Sequence, residues 1–149
     1  MKLLVLPADG IGPEIVAAAE TVLAVADQKF GLKLQLEHDI AGFKSLDKHG
    51  ITIRPELLER AKTYDGVILG TQSHADYPSP DEGGVNISAS FRVGLDLYAN
   101  VRPARTRAGL GLGKPGLDLV IMREATEGFY PDRNCFKGWG EVMLSPDMA

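Results

Sequence analysis

Cysteine is almost absent. Cys135 is the only one in 149 residues, which excludes an internal disulfide framework and suits a reducing compartment. An excess of basic charge is also absent. Sixteen lysines and arginines stand against 20 aspartates and glutamates, for a net charge of −4. A wholesale electrostatic grip on nucleic acid is therefore not expected, although a local basic patch remains compatible with the balance. No apolar run approaches membrane-spanning length. The N-terminus carries one lysine and a short apolar stretch that runs straight into Pro7, a poor signal peptide. No internal repeat is visible. What remains is ordinary: 44% hydrophobic and 24% charged residues, enough for one domain with a real core. The expectation is a cytoplasmic protein with neither a nucleic-acid nor a membrane partner.

The chain alternates strand and helix signals. "KLLVLP" reads as a short buried strand. Pro13 and Glu14 then suit a first helical turn, and "EIVAAAETVLAVADQKF" carries apolar residues at helical spacing up to Gly31. "LKLQLEH" alternates like a strand. "AGFKSLDKHG" reads as a short helix closed by Gly50, and Pro55 opens another, "PELLERAKT". "YDGVILG" is a second buried strand. This order predicts an α/β fold: an open, mostly parallel sheet flanked by helices. Residues 71–84, "TQSHADYPSPDEGG", form a long polar loop after a strand end, where such sheets bind ligands. Beyond it, "NISASFRVGLDLY" reads as helix and "YANVRPARTR" as extended. "AGLGLGKPG" is a glycine-rich link, "LDLVIMRE" a third strand and "CFKGWGEVML" a strand or hairpin arm. The closing "SPDMA" has the look of a helix start, with Ser145 as N-cap, and suggests the N-terminal part of a longer protein.

Arginines concentrate in one region: Arg92, Arg102, Arg105 and Arg107, with Arg123 after the apolar run "LVIM" and so expected at the mouth of the sheet. The planar guanidinium fork matches a carboxylate through two parallel hydrogen bonds. Three convergent arginines would suit a small substrate with two or three carboxylates. The plainer alternative is a set of solvated surface arginines. Tyr130, in a polar loop, reads either as a packing residue or as a general acid made more acidic by positive neighbours.

"LPADGIGPEI", "FRVGLDLYANVRPAR" and "MREATEGFY" occur in the order and spacing of the β-decarboxylating dehydrogenases. Over nearly its whole length the chain thus resembles the N-terminal portion of the isocitrate/isopropylmalate dehydrogenase family. The resemblance implies a two-domain, isopropylmalate dehydrogenase-like fold, here cut short. Residues 1–99 would be part of the first domain, and residues 100–149 the start of the second, including the beginning of an arm. It implies oxidative decarboxylation of a 2-hydroxy di- or tricarboxylic acid of isopropylmalate, isocitrate, homoisocitrate or tartrate type. NAD or NADP would accept the hydride, Mg2+ or Mn2+ would assist, and a homodimer is usual. By position in the motifs, Arg92, Arg102 and Arg123 would bind substrate carboxylates and Tyr130 would protonate the enol. Arg105 and Arg107 match no such position. The metal ligands of such enzymes lie in the second half of the chain, so no metal ligand is expected within these 149 residues, nor activity from them alone.

"DGIGPE" departs from the G-x-G-x-x-G phosphate fingerprint, with Pro13 and Glu14 where phosphate would approach. It reads as a structural corner near the cofactor cleft, touching it through Asp9, Gly10 or Ile11. Thr71 and His74 are further candidate cofactor contacts, with a solvated loop histidine as the plainer reading of His74. Isopropylmalate enzymes usually carry a leucine pair just before the first arginine. Ser88 and Ala89 stand there instead, and Asn86 and Ser88 exchange the residue types usual in isocitrate enzymes. With Thr126 to Gly128 reading "TEG", a polar or small substituent on the malate is favoured. The alternative is a non-catalytic regulatory subunit of the same family that binds a carboxylate effector. A nucleic-acid module built on the arginines fits poorly with the acidic balance.

Overall fold

Close to the start of the chain, the four apolar residues Leu3 to Leu6 are all buried because both faces of their strand are covered. The computed structural model describes residues 1–107, 109 and 114–125, with the backbone of two short strands at 135–136 and 142–143. The chain divides into two compact units, Met1–Leu95 and Asp96–Ala149.

In the first unit β1 (Lys2–Leu6) is the central strand of a parallel sheet in the order β2-β1-β3, with β2 at Gln35–His38 and β3 at Gly66–Leu69. The register runs Val5↔His38 on one side and Leu6↔Leu69 on the other. Side chains alternate across a strand. Leu4 and Leu6 face a core of Ala41, Ile53, Leu57, Ala61, Ile87 and Phe91. These come from and around α2 (Phe43–His49), α3 (Pro55–Ala61) and α4 (Ile87–Gly94). Val5 and His38 face the other way, and His38 meets Glu20 of α1 (Gly12–Phe30) at 2.5 Å, which places α1 on that opposite face. The expected α/β arrangement of a parallel sheet between helices is therefore present.

Local signals set most boundaries. Pro13 and Pro55 sit in the first turns of α1 and α3, and Gly31 and Gly50 close α1 and α2 in the left-handed conformation. Two boundaries differ from the sequence reading. The strand expected over "LKLQLEH" starts only at Gln35, because Lys33 takes a left-handed φ of 56° that an extended strand cannot contain. The helix expected over "NISASFRVGLDLY" stops at Gly94, and Asp96 turns the chain at φ 48°. An aspartate tolerates that conformation better than most residues.

In the second unit β4 (Ala99–Arg105) and β5 (Asp118–Glu124) form a two-stranded antiparallel ribbon. Pro103 is acceptable there because every strand of a two-stranded ribbon is an edge. Among the described residues β5 pairs with β4 and is not a strand of the parallel sheet, and Arg123 lies within that ladder opposite Asn100. An apolar run such as "LVIM" does not itself say which strand it will pair with. β6 (Cys135–Phe136) and β7 (Val142–Met143) pair antiparallel, in keeping with a hairpin arm. The helix start read at "SPDMA" lies outside the described residues. Among those described, no helix is long and apolar enough to cross a membrane.

Candidate active site

The turn "PADGIGPE" joins the end of β1 to α1 by close packing of backbone on backbone. A Cβ on Gly12 would lie 2.0 Å from the carbonyl oxygen of Pro7, and one on Gly70 would lie 2.1 Å from the same atom. Those two glycines are thus required by close chain-to-chain contact. Asp9 is only 6% exposed, and its carboxylate is turned inward. It accepts hydrogen bonds from the Phe43 backbone N–H at 2.8 Å, from the Ser73 N–H at 3.4 Å and from the Tyr77 hydroxyl. Burial and the hydrogen-bonded, negatively charged Asp9 both push the Tyr77 phenol above its ordinary pKa, so it stays protonated and donating. The Asp9 backbone N–H also donates to the Thr71 carbonyl at 2.8 Å, and the Thr71 hydroxyl donates back to the Asp9 carbonyl at 2.9 Å. The corner reading of the turn thus has a physical basis, although its carboxylate role is one that spacing alone did not reveal. The only sequence signal was an aspartate directly before a glycine, where a phosphate loop would avoid one.

From this corner the polar loop is pinned along its length. His74 opens a single 3-10 turn, His74–Asp76, and is exposed. A second turn, Pro80–Glu82, carries a capping box between Ser79 and Glu82. Gln72 accepts from the Ser88 N–H at 3.0 Å and so ties the loop to the start of α4. Asn86 is the N-cap of α4, its side chain accepting from the Ala89 N–H at 3.0 Å. Ser88 and Arg92 are four residues apart and share a face of α4, while Ile87 and Phe91 are buried in the core. In the first unit Thr71 is thus bonded to Asp9, Gln72 to Ser88 and Asn86 to Ala89. Ile11 stands exposed at the start of α1. A cavity of about 230 Å³ opens beside the ends of β1 and β2, lined by Pro7, Ala8, Asp39, Ala41 and Lys44 among others, and none of the expected site residues lines it.

The second unit holds the other two candidate arginines. In the β4–β5 register Asn100 faces Arg123 and Arg102 faces Ile121. With period-two alternation, Asn100, Arg102 and Arg123 fall on one face, the two arginines as diagonal neighbours. The Arg102 Nε donates to Asn100 Oδ1 at 2.9 Å. Arg105 lies on the other face and pairs with Asp118 at 2.6 Å, in line with its surface reading. Asn100 was not singled out from the sequence, and its position two residues before Arg102 was the available signal. Tyr130 lies outside the described residues. Among the described residues, no group of three or more His, Cys, Asp or Glu side chains is placed to hold a metal ion.

Comparison with known proteins gives a consistent picture. The 3-isopropylmalate dehydrogenases of Pseudomonas putida and Pseudomonas fluorescens are 41% and 39% identical to this chain over 142 residues, covering 87% of it and 38% of each relative. The crystal structure of isocitrate dehydrogenase from Methylococcus capsulatus superposes with a TM-score of 0.72 at 29% identity, over 96% of this chain and 42% of that one. A β-decarboxylating dehydrogenase from Thermococcus kodakarensis gives a TM-score of 0.65 at 28% identity. The chain therefore spans about two fifths of the length of the proteins it matches. Residues 2–138 match the isocitrate/isopropylmalate dehydrogenase family as a whole, and the chain belongs to that family.

Proposed function

We propose that this chain takes part in oxidative decarboxylation of a 2-hydroxy di- or tricarboxylic acid of isocitrate, isopropylmalate, homoisocitrate or tartrate type. The observation that carries the reading is the placement of Arg102 and Arg123 as diagonal neighbours on one face of the β4–β5 ribbon. Two guanidinium groups so placed can grip one or two carboxylates and fix a small dianion in a single orientation. Arg92, on the outer face of α4 with Ser88, supplies a third cation for the substrate. Asn86 and Ser88 bear on the malate substituent, and their polarity favours a small or polar group over a branched alkyl one. Tyr130 is the proton donor to the enol left after carbon dioxide departs.

Ile11, Thr71 and His74, exposed beside the ends of β1 and β3, are the proposed contacts of the nicotinamide cofactor. Bound NAD or NADP supplies the hydride acceptor, and a bound Mg2+ or Mn2+ supplies a Lewis acid for the new carbonyl. The metal ligands are not assigned to this chain. A cytoplasmic homodimer is the proposed setting.

The test is reduction of NAD and NADP by the complete gene product with Mg2+ or Mn2+, across isocitrate, homoisocitrate, isopropylmalate, tartrate and malate. One substrate is expected to turn over. Tyr130→Phe is expected to lower kcat by about 10²- to 10⁴-fold, the usual range for a lost general acid. Arg123→Ala is expected to lower kcat/KM by about a hundredfold or more, because a charge-assisted grip is lost. Binding of these acids without turnover of any would favour the regulatory-subunit reading.

A further inference from the structure

A guanidinium can meet a carboxylate in two ways. Side-on, it uses Nε with one Nη. End-on, it uses both Nη groups. In Arg102 the Nε–H is already donated, to Asn100 Oδ1 at 2.9 Å. Asn100 lies on the same face of the ribbon as Arg102 and Arg123, two residues before the first and directly across the ladder from the second. The acceptor is a neutral amide, so this bond holds the guanidinium plane without cancelling its charge. The contrast is on the other face, where a carboxylate, Asp118, holds Arg105 at 2.6 Å and neutralises it.

We propose that Asn100 is a positioning residue that fixes Arg102 to receive a substrate carboxylate end-on, through its two Nη groups. This rests on the reading of Arg102 as a substrate arginine. A long side chain with four rotatable bonds is otherwise free to sample many orientations, and a fixed Nε removes most of them before substrate arrives. An aspartate at position 100 would also accept from Nε, but its charge would compete with the substrate for the same cation.

Steady-state kinetics on the complete gene product test this, with Asn100→Ala, Asn100→Asp, Arg102→Lys and the double variant Asn100→Ala/Arg102→Lys. Asn100→Ala is expected to raise KM for the hydroxy acid about tenfold or more, the scale of a lost hydrogen bond to a charged group. KM for NAD or NADP should stay within about twofold. Asn100→Asp should not restore the wild-type KM. Lysine has no Nε–H fork to hold, so in the Arg102→Lys background Asn100→Ala should change KM by no more than about twofold, the limit of ordinary additivity. If Asn100→Ala fails to fold, Asn100→Ser, too short to reach Nε, replaces it with the same expected rise in KM. An unchanged KM, a rescue by aspartate or an equal loss in both arginine backgrounds would overturn the role of Asn100. Wild-type silence across all five acids would overturn the reading of Arg102, and this proposal with it.

Discussion

At the scale of single residues, the corner after β1 depends on Asp9 and on what surrounds its carboxylate. Gly42 has a φ of +76°, and a Cβ there would lie 2.2 Å from Asp9 Oδ1. Any side chain at position 42 therefore meets two penalties, a strained backbone and a collision with the carboxylate. The first alone costs about 1–3 kcal/mol, and Gly42→Ala is expected to lower stability by at least that in a denaturant titration. Tyr77→Phe tests the other side of the same carboxylate. It removes one donor and leaves the two backbone N–H donors in place. A loss of about 1.5–3 kcal/mol is expected, the range for a hydrogen bond to a charged group. Equal stability of Tyr77→Phe and wild type would show that the hydroxyl contributes nothing to the corner. Tyr77 also packs edge-on against Phe43, with ring centroids 5.1 Å apart, and the phenylalanine variant keeps that contact. The difference therefore isolates the hydroxyl.

At the scale of elements, α4 carries structural and proposed functional duties at adjacent positions. Its buried residues Ile87 and Phe91 hold it to the core. Its N-terminus is closed by the Asn86 side chain, and its first turn is tied to the polar loop through Gln72. Asn86→Ala is expected to cost about 1 kcal/mol as a lost N-cap. Asn86→Asp keeps an acceptor oxygen and should retain most of that stability. The pair separates the cap from any contact with substrate: if aspartate restores stability but not turnover, Asn86 has a second role. A melt of Asn86→Ala that coincides with wild type would rule out the capping contribution. β4 and β5 divide their duties by face instead. One face carries Asn100, Arg102 and Arg123, and the other carries Val101, Val120 and Met122 beside the Arg105–Asp118 pair.

At the scale of the molecule, exposed apolar surface is the dominant feature. On α1, Ile15, Val22 and Val25 recur at helical spacing and are 43%, 69% and 61% exposed, although Val16 of the same helix is buried. A helix that is apolar on two sides is normally covered on both. Val101, Val120, Ile121 and Met122 of the ribbon are each more than half exposed. Patches of this kind drive association when nothing covers them. The 149-residue chain by itself is expected to self-associate, with sedimentation coefficients that rise with protein concentration. A monodisperse monomer with a single cooperative melt would contradict this.

Most of the element order was legible because its signals are local. Proline in a first turn, glycine after a last one and four apolar residues in a row act within a few positions, and the structure keeps each of them. The two boundary errors, at Lys33 and Asp96, come from left-handed residues that are not glycine, which composition does not announce. Family membership was legible too, because "LDLYANVRP" and "MREATEGFY" are strings that packing alone would not require. The positions of the candidate arginines could be read from the sequence, but their partners could not. That Arg102 and Arg123 share a face follows from a register set by antiparallel pairing across a glycine-rich link. That Asp9 faces inward, and that Asn100 rather than a carboxylate holds Arg102, follows from which side chains the fold brings within hydrogen-bond reach. The sequence by itself determined the elements and the chemical types of the site residues, since those depend on near neighbours. Strand pairing and the inward facing of Asp9 were decided only by the tertiary structure, because they depend on residues tens of positions away.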